Sequence, residues 1–237
     1  MTRIICLANS WKRGERCIAG ITPFKGQWIR AVSDLPDGKV PKQMRLIGGL
    51  EPALLDILEI PLAKTGPDYG FESENLSILP GKWMRSGQVP PAYLLQYCSK
   101  EQYILHNDCK YVEVPYLQSL PISQRRTLEL VKAVEFYVKA LGTIYEGSQK
   151  WSGTIVTENG QSLTTNITDP VFVRKLDLGY RPKNHCLVTV SLSMPWRPSD
   201  WEGGDPCWKL IAGVIELPDT EKKKVEVKSD EYDDLPF

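Results

Sequence analysis

Three runs near the start of the chain decide its fold: Arg3–Ala8 (RIICLA), Arg16–Thr22 (RCIAGIT) and Gln27–Ser33 (QWIRAVS). Each is rich in β-branched, aromatic or small apolar residues and is bounded by Gly- or charge-rich turns. That is the pattern of short strands. Leu54–Leu62 (LLDILEIPL) adds a strand ended by Pro61, and Leu76–Leu79 a fifth. From Pro80 to about Leu120 the chain is irregular, broken by Pro90-Pro91, Pro115 and Pro121, with one short helix expected after the proline pair.

Thr127–Leu141 (TLELVKAVEFYVKAL) fits either a two- or a 3.6-residue apolar period and is left open between strand and helix. Trp151–Thr157 and Gln161–Thr168 flank Glu158-Asn159-Gly160, a hairpin signal with Asn-Gly at its centre. His185–Ser193 (HCLVTVSLS) alternates, and Cys207–Leu217 (CWKLIAGVIEL) closes the folded part. After Pro218 the chain turns Lys/Glu-rich and then acidic without apolar periodicity, as a flexible tail does. The expectation is an all-β protein with minor helix. It comprises a first unit over 1–80, an irregular connector over 81–126, a second unit over 127–217 and a disordered acidic tail over 218–237. Two small β units fit this spacing better than a single ten-strand sandwich.

The chain has 237 residues, ample for a real core, and its 29 Lys and Arg offset 29 Asp and Glu. With 42% hydrophobic residues it is not a wholly disordered chain, and no apolar run approaches the ~18–20 residues that span a bilayer. The start MTRIICLANSWKRGERC lacks the pattern of a secretory signal, and the six cysteines are dispersed without C-x-x-C. A cytoplasmic protein with reduced thiols is expected. The zero net charge conceals segregation. Residues 1–45 carry nine basic and three acidic groups, residues 46–80 one basic and six acidic, and the last nine residues four carboxylates with no Lys or Arg. The opening is basic enough to meet phosphate.

The usual catalytic signatures, G-x-x-x-x-G-K-[ST], G-x-G-x-x-G, H-E-x-x-H and G-x-S-x-G, are missing. No catalytic residue and no cofactor is therefore expected. Cys98, His106 and Cys109 could supply three zinc ligands, but paired C-x-x-C spacing is absent and the expectation is no metal. Six of the seven tryptophans, all but Trp201, have a Lys or Arg within two residues. Indole rings beside cations suit a single-strand groove, where bases stack and phosphates are neutralised. Trp28 and Arg30 fall on one face of their strand, so either Trp28 is a partly exposed platform or it is core and Arg30 snorkels. Trp208, in an apolar strand, is expected in the core.

Ile4–Gly20 (IICLANSWKRGERCIAG) followed by Trp28–Ser33 (WIRAVS) resembles the start of the bacterial dual-OB domain family. Asp169-Pro170, Leu187–Leu192 (LVTVSL) and Trp208–Ile215 (WKLIAGVI) are similar to that family's closing strands in the same order. Ala31 departs from it where Pro is expected, as does Cys207-Trp208-Lys209 where Tyr-Lys is more usual. The resemblance covers about residues 1–217 and implies two OB-fold-like barrels and nucleic-acid recognition, in prokaryotic defence contexts. Independently, the final Asp233-Asp234-Leu235-Pro236-Phe237 resembles the acidic tip of bacterial single-stranded-DNA-binding proteins. Phe237 suits an apolar socket, its carboxylate an Arg or Lys, and the aspartates a basic ridge.

The expected function is binding of nucleic acid, single-stranded, through Trp11, Lys12, Arg13, Arg16, Trp28 and Arg30, with Trp83 and Arg85 as a further site. Asp233, Asp234, Leu235, Pro236 and Phe237 are expected to recruit genome-maintenance or defence proteins that recognise such a tip. The alternatives are a protein–protein adaptor without nucleic acid, and a nucleotide or modified-base sensor or enzyme.

Overall fold

The computed structural model describes residues 1–145 and 148–218. Its first half contains β1 (Thr2–Lys12), β2 (Glu15–Ile21), β3 (Trp28–Val32), β4 (Asp56–Ile60), β5 (Asn75–Ser77) and β6 (Met84–Gln88). β1 pairs antiparallel with both β2 and β4, β2 with β3, and β3 runs parallel to β5. A bridge between Leu62 and Ile78, with the Leu79 N–H donating to the Pro61 carbonyl at 2.8 Å, brings the chain after β5 back to the end of β4. The strand order 1-2-3-5-4-1 is that of a small Greek-key barrel. β6 extends it beyond β4.

The second half repeats the scheme with β7 (Tyr111–Glu113), β8 (Leu128–Ala133), β9 (Glu135–Tyr145), β10 (Ser148–Val156), β11 (Ser162–Asn166), β12 (Cys186–Leu192) and β13 (Pro206–Glu216). β8 and β9 act as one long strand broken at Val134: β8 pairs with β12, and β9 with β10. β10 pairs with β11, β12 with β13, and a parallel bridge from Ile167 to Ile211 joins the end of β11 to β13. The helix Pro170–Asp177 fills the gap before β12. Asp169 caps it, its Oδ1 accepting the Val171 and Phe172 N–H groups at 3.0 Å, and Pro170 starts it where no N–H is needed. The all-β expectation with minor helix holds, and the ambiguous 127–141 stretch is strand.

The ambiguity of that stretch has a physical source. Along β8, Val131 and Ala133 face the core of the second barrel, while Leu128 and Leu130 face the first barrel. A strand buried on both faces loses the polar half of its alternation. β1 is the counterpart: Ile4 and Cys6 enter the first barrel's core, while Ile5 and Leu7 pack against Leu130, Leu187 and Ile215. The two barrels therefore share a buried interface. The segment 81–126 is woven into it: β6 joins the first sheet, Leu94 enters the shared core and β7 pairs with β13. Among the described residues no helix is long and apolar enough to cross a membrane.

Within the interface the backbones of β1 and β13 cross closely. A Cβ placed on Gly213 would lie 2.3 Å from the Leu7 carbonyl oxygen and 3.3 Å from Leu54 Cδ1. Neighbouring Ala8, Ala19 and Ala212 keep the surrounding contact equally thin. Gly213→Ala should therefore cost about 2–3 kcal/mol or more, because backbone rather than a yielding side chain must move. Urea denaturation checks this, and an unchanged midpoint would show that β1 and β13 can separate freely.

Candidate nucleic-acid interface

Where β1 and β2 project past the shared core they form a two-residue hairpin. Arg13 (φ 48°) and Gly14 (φ 78°) both occupy the left-handed region, as a type I′ turn requires. The turn pairs Trp11 with Arg16 and Lys12 with Glu15 across the strands. The Arg16 guanidinium carbon sits 5.9 Å from the Trp11 ring centroid, a cation–π distance. The arm is tied to the second barrel, since the Trp11 N–H donates to the Thr168 carbonyl at 2.8 Å.

Between this arm and the second barrel lies a groove of about 880 Å³. Its first wall is Ser10, Trp11, Lys12 and Arg13, and opposite stand Thr164, Asn166, Trp196, Trp208 and Leu210, with Lys110 at the side. Strand alternation explains the selection: Trp208 and Leu210 share a face of β13, while Lys209 points the other way. Lys209 is fully buried, its Nζ donating to the carbonyls of Ile104 and Asn107, each at 2.6 Å. Burial pulls its ammonium down to about 8, with Glu129 opposing the shift.

The aromatic wall is rigid. Trp208 meets Trp201 edge-on at 5.4 Å and Tyr111 at 5.5 Å, and its Nε1–H donates to the Trp196 carbonyl at 2.9 Å. Trp201 is fixed in turn by an Nε1–H bond to the Gly204 carbonyl. Trp196, 62% exposed, stands at the rim 6.5 Å from Trp208. Among the lining residues the carboxylate is Glu72 and the cations are Lys12, Arg13, Arg30 and Lys110.

Glu72 and Arg30 line the groove as a buried pair, each side chain 2% exposed. Arg30 Nη1 contacts Glu72 Oε1, while Nη2 donates to Thr127 Oγ1 at 2.8 Å and lies 3.4 Å from Glu74 Oε1. The Thr127 hydroxyl also bonds Glu74, and Asn75 Nδ2 donates to Glu72 Oε2 at 2.6 Å. Burial works against the Arg30 cation, but Glu72 and Glu74 outweigh it and keep the guanidinium firmly protonated. Burial raises the Glu74 carboxyl, against the pull of Arg30. Because Thr127 leads into β8, this network also ties the first barrel to the second.

The chain matches the family model of the dual OB-containing domain over residues 2–214. It belongs to that family. No curated protein and no solved structure matches it significantly.

Of the residues expected to bind, this dual OB chain brings Trp11, Lys12, Arg13 and Arg30 to one groove, with Arg16 against the Trp11 ring. Three expectations need correction. Arg30 is not a surface cation or a snorkelling one; it is enclosed by two carboxylates and a threonine. Trp83, 4% exposed, packs with Ile4, Ile18 and Leu58 in the first barrel's core and offers no stacking face. Trp28 is half-buried against the shared core, and Arg85 lies on edge strand β6, 3.8 Å from Asp56. Trp208, expected in the core, instead lines the groove. Lys110 and Glu72 carried no sequence signal, whereas Trp196 and Trp208 were already among the tryptophans with basic neighbours. Asp233 to Phe237 lie outside the described residues. Among the described residues no three His, Cys, Asp or Glu side chains gather to hold a metal.

Arg30→Leu leaves Glu72 and Glu74 buried without their cation. A loss of about 3–5 kcal/mol in chemical denaturation is expected; a loss below about 1 kcal/mol would mean that water already reaches the pair.

Proposed function

We propose that the protein binds single-stranded nucleic acid in the groove between its two barrels. The observation that carries this reading is the lining itself: three indoles, Trp11, Trp196 and Trp208, among four cations and one carboxylate that is already paired. Indole faces take unpaired bases, each worth about 1–3 kcal/mol, and duplex bases offer no free face to them. Lys12 and Arg13 at the hairpin turn and Lys110 at the side of the groove would neutralise phosphates flanking the stacked bases. OB barrels use such a sheet face and its flanking loops for oligonucleotides, which supports the assignment.

Fluorescence anisotropy of a labelled oligothymidylate across a salt series tests the proposal. The logarithm of affinity should fall linearly with the logarithm of salt, by about 0.7 per phosphate neutralised. Lys12→Ala with Arg13→Ala should flatten that slope, whereas Trp11→Ala should weaken binding by about 1–3 kcal/mol and leave the slope unchanged. Negligible binding at low salt would end the proposal.

We further propose that Asp233, Asp234, Leu235, Pro236 and Phe237 recruit proteins that recognise the acidic tip of bacterial single-stranded-DNA-binding proteins. Deleting these five residues should abolish capture of such a protein and preserve oligothymidylate affinity. Capture that survives the deletion would place the contact on the barrels.

A further inference from the structure

The floor of the groove is a sheet whose outward face continues past the residues that wall it. Along β9, Tyr137, Lys139 and Leu141 share one face, while Phe136 and Val138 turn to the core. Leu141 already lines the groove. Strand pairing carries the same face across the barrel. Lys139 stands opposite Ser152 on β10, and Ser152 opposite Asn166 on β11. The parallel bridge of Ile167 with Ile211 then sets Asn166 beside Leu210 on β13. One outward row therefore reads Leu210, Asn166, Ser152, Lys139, and its first three members line the groove.

The same registers set a second row two residues along each strand: Trp208, Thr164, Thr154, Tyr137. Trp208 and Thr164 line the groove, and the Thr164 and Thr154 hydroxyls bond each other at 2.8 Å. Tyr137 is 49% exposed, and its hydroxyl donates to Glu135 Oε2 at 2.6 Å, which steadies the ring. Three inter-strand spacings separate the two rings, about 15 Å. Lys139 is exposed one residue pair away from this row. In the first barrel β1 turns Ile5 and Leu7 into the shared core instead.

We propose that a bound single strand leaves the groove across this face, perpendicular to the strands, and stacks a further base on Tyr137 while Lys139 neutralises a phosphate beside it. The inference rests on the nucleic-acid reading of the groove and gives it a path, a second stacking platform and an end. Hydroxyls on the floor rotate to donate or to accept, so they suit bases of any identity. Beyond Tyr137 the same face of β9 carries Glu135, whose carboxylate repels the next phosphate.

Anisotropy of a labelled oligothymidylate of about twelve nucleotides, within OB site sizes, tests this on the full-length protein. Tyr137→Ala should weaken binding about five- to 150-fold, the scale of one stacked base, and leave the salt slope unchanged. Tyr137→Phe, which keeps the ring, should recover most of that loss. Lys139→Ala should lower the salt slope by about 0.7, the share of one phosphate. Photocrosslinking of an iodouracil-substituted strand should mark Tyr137 as well as Trp208.

Undiminished affinity in Tyr137→Ala together with an unchanged slope in Lys139→Ala, while the unaltered protein binds, overturns the path and leaves the groove standing. Equal losses in Tyr137→Phe and Tyr137→Ala assign the effect to the hydroxyl bond with Glu135 and overturn the stacking platform. Absence of binding by the unaltered protein at low salt overturns the groove and the path together.

Discussion

Everything about this molecule follows from the crossing of β1 over β13, where the Leu7 carbonyl passes too close to Gly213 for any side chain. That contact buries β1 on both faces and makes one body of two small barrels. Each barrel alone is small, and small domains bury a lesser share of their apolar surface. Packed together, they exchange exposed sheet faces for a shared interior containing Ile5, Leu7, Leu130, Leu187 and Ile215. The Arg30 network adds a directional tie through Thr127. It is expensive to desolvate and so is tolerant of one geometry only.

The groove is a consequence of that packing. β1 outruns the shared core by a few residues, and its last turn, carrying Trp11, Lys12 and Arg13, overhangs the open end of the second barrel. The second barrel answers with rings braced on one another: Tyr111 and Trp201 hold Trp208 in place, and Trp196 extends the surface to the rim. A rigid aromatic surface gives up little conformational freedom when something stacks on it. The polar residues between the rings are mostly hydroxyls, which adapt to a donor or an acceptor by rotating.

Much of the fold was legible in the sequence because strands buried on one face alternate and because turns carry distinctive residues. Asn159-Gly160 marked its hairpin, and Pro61 marked the end of β4. The failures share a cause. β8 was ambiguous, Arg30 was taken for a surface cation and Trp208 for a core residue, because each lies where the two barrels meet or where the groove opens. Local pattern reports one neighbouring environment, and these residues have two. Glu72, 42 positions from Arg30 in the chain, could not be paired with it by spacing. Of the six tryptophans with basic neighbours, Trp11, Trp196 and Trp208 line the groove, whereas Trp28, Trp83 and Trp151 do not, and Trp83's ring is enclosed by the first barrel.

The groove's two walls lie at opposite ends of the folded chain, Trp11 in the first strand and Trp208 in the last. During synthesis the hairpin bearing Trp11 leaves the ribosome early, and its complement follows only when nearly the whole protein has been made. A nascent or prematurely terminated chain thus holds one wall and no groove. Assembly of this groove doubles as a completeness check: its two walls meet only when β13 closes the second barrel.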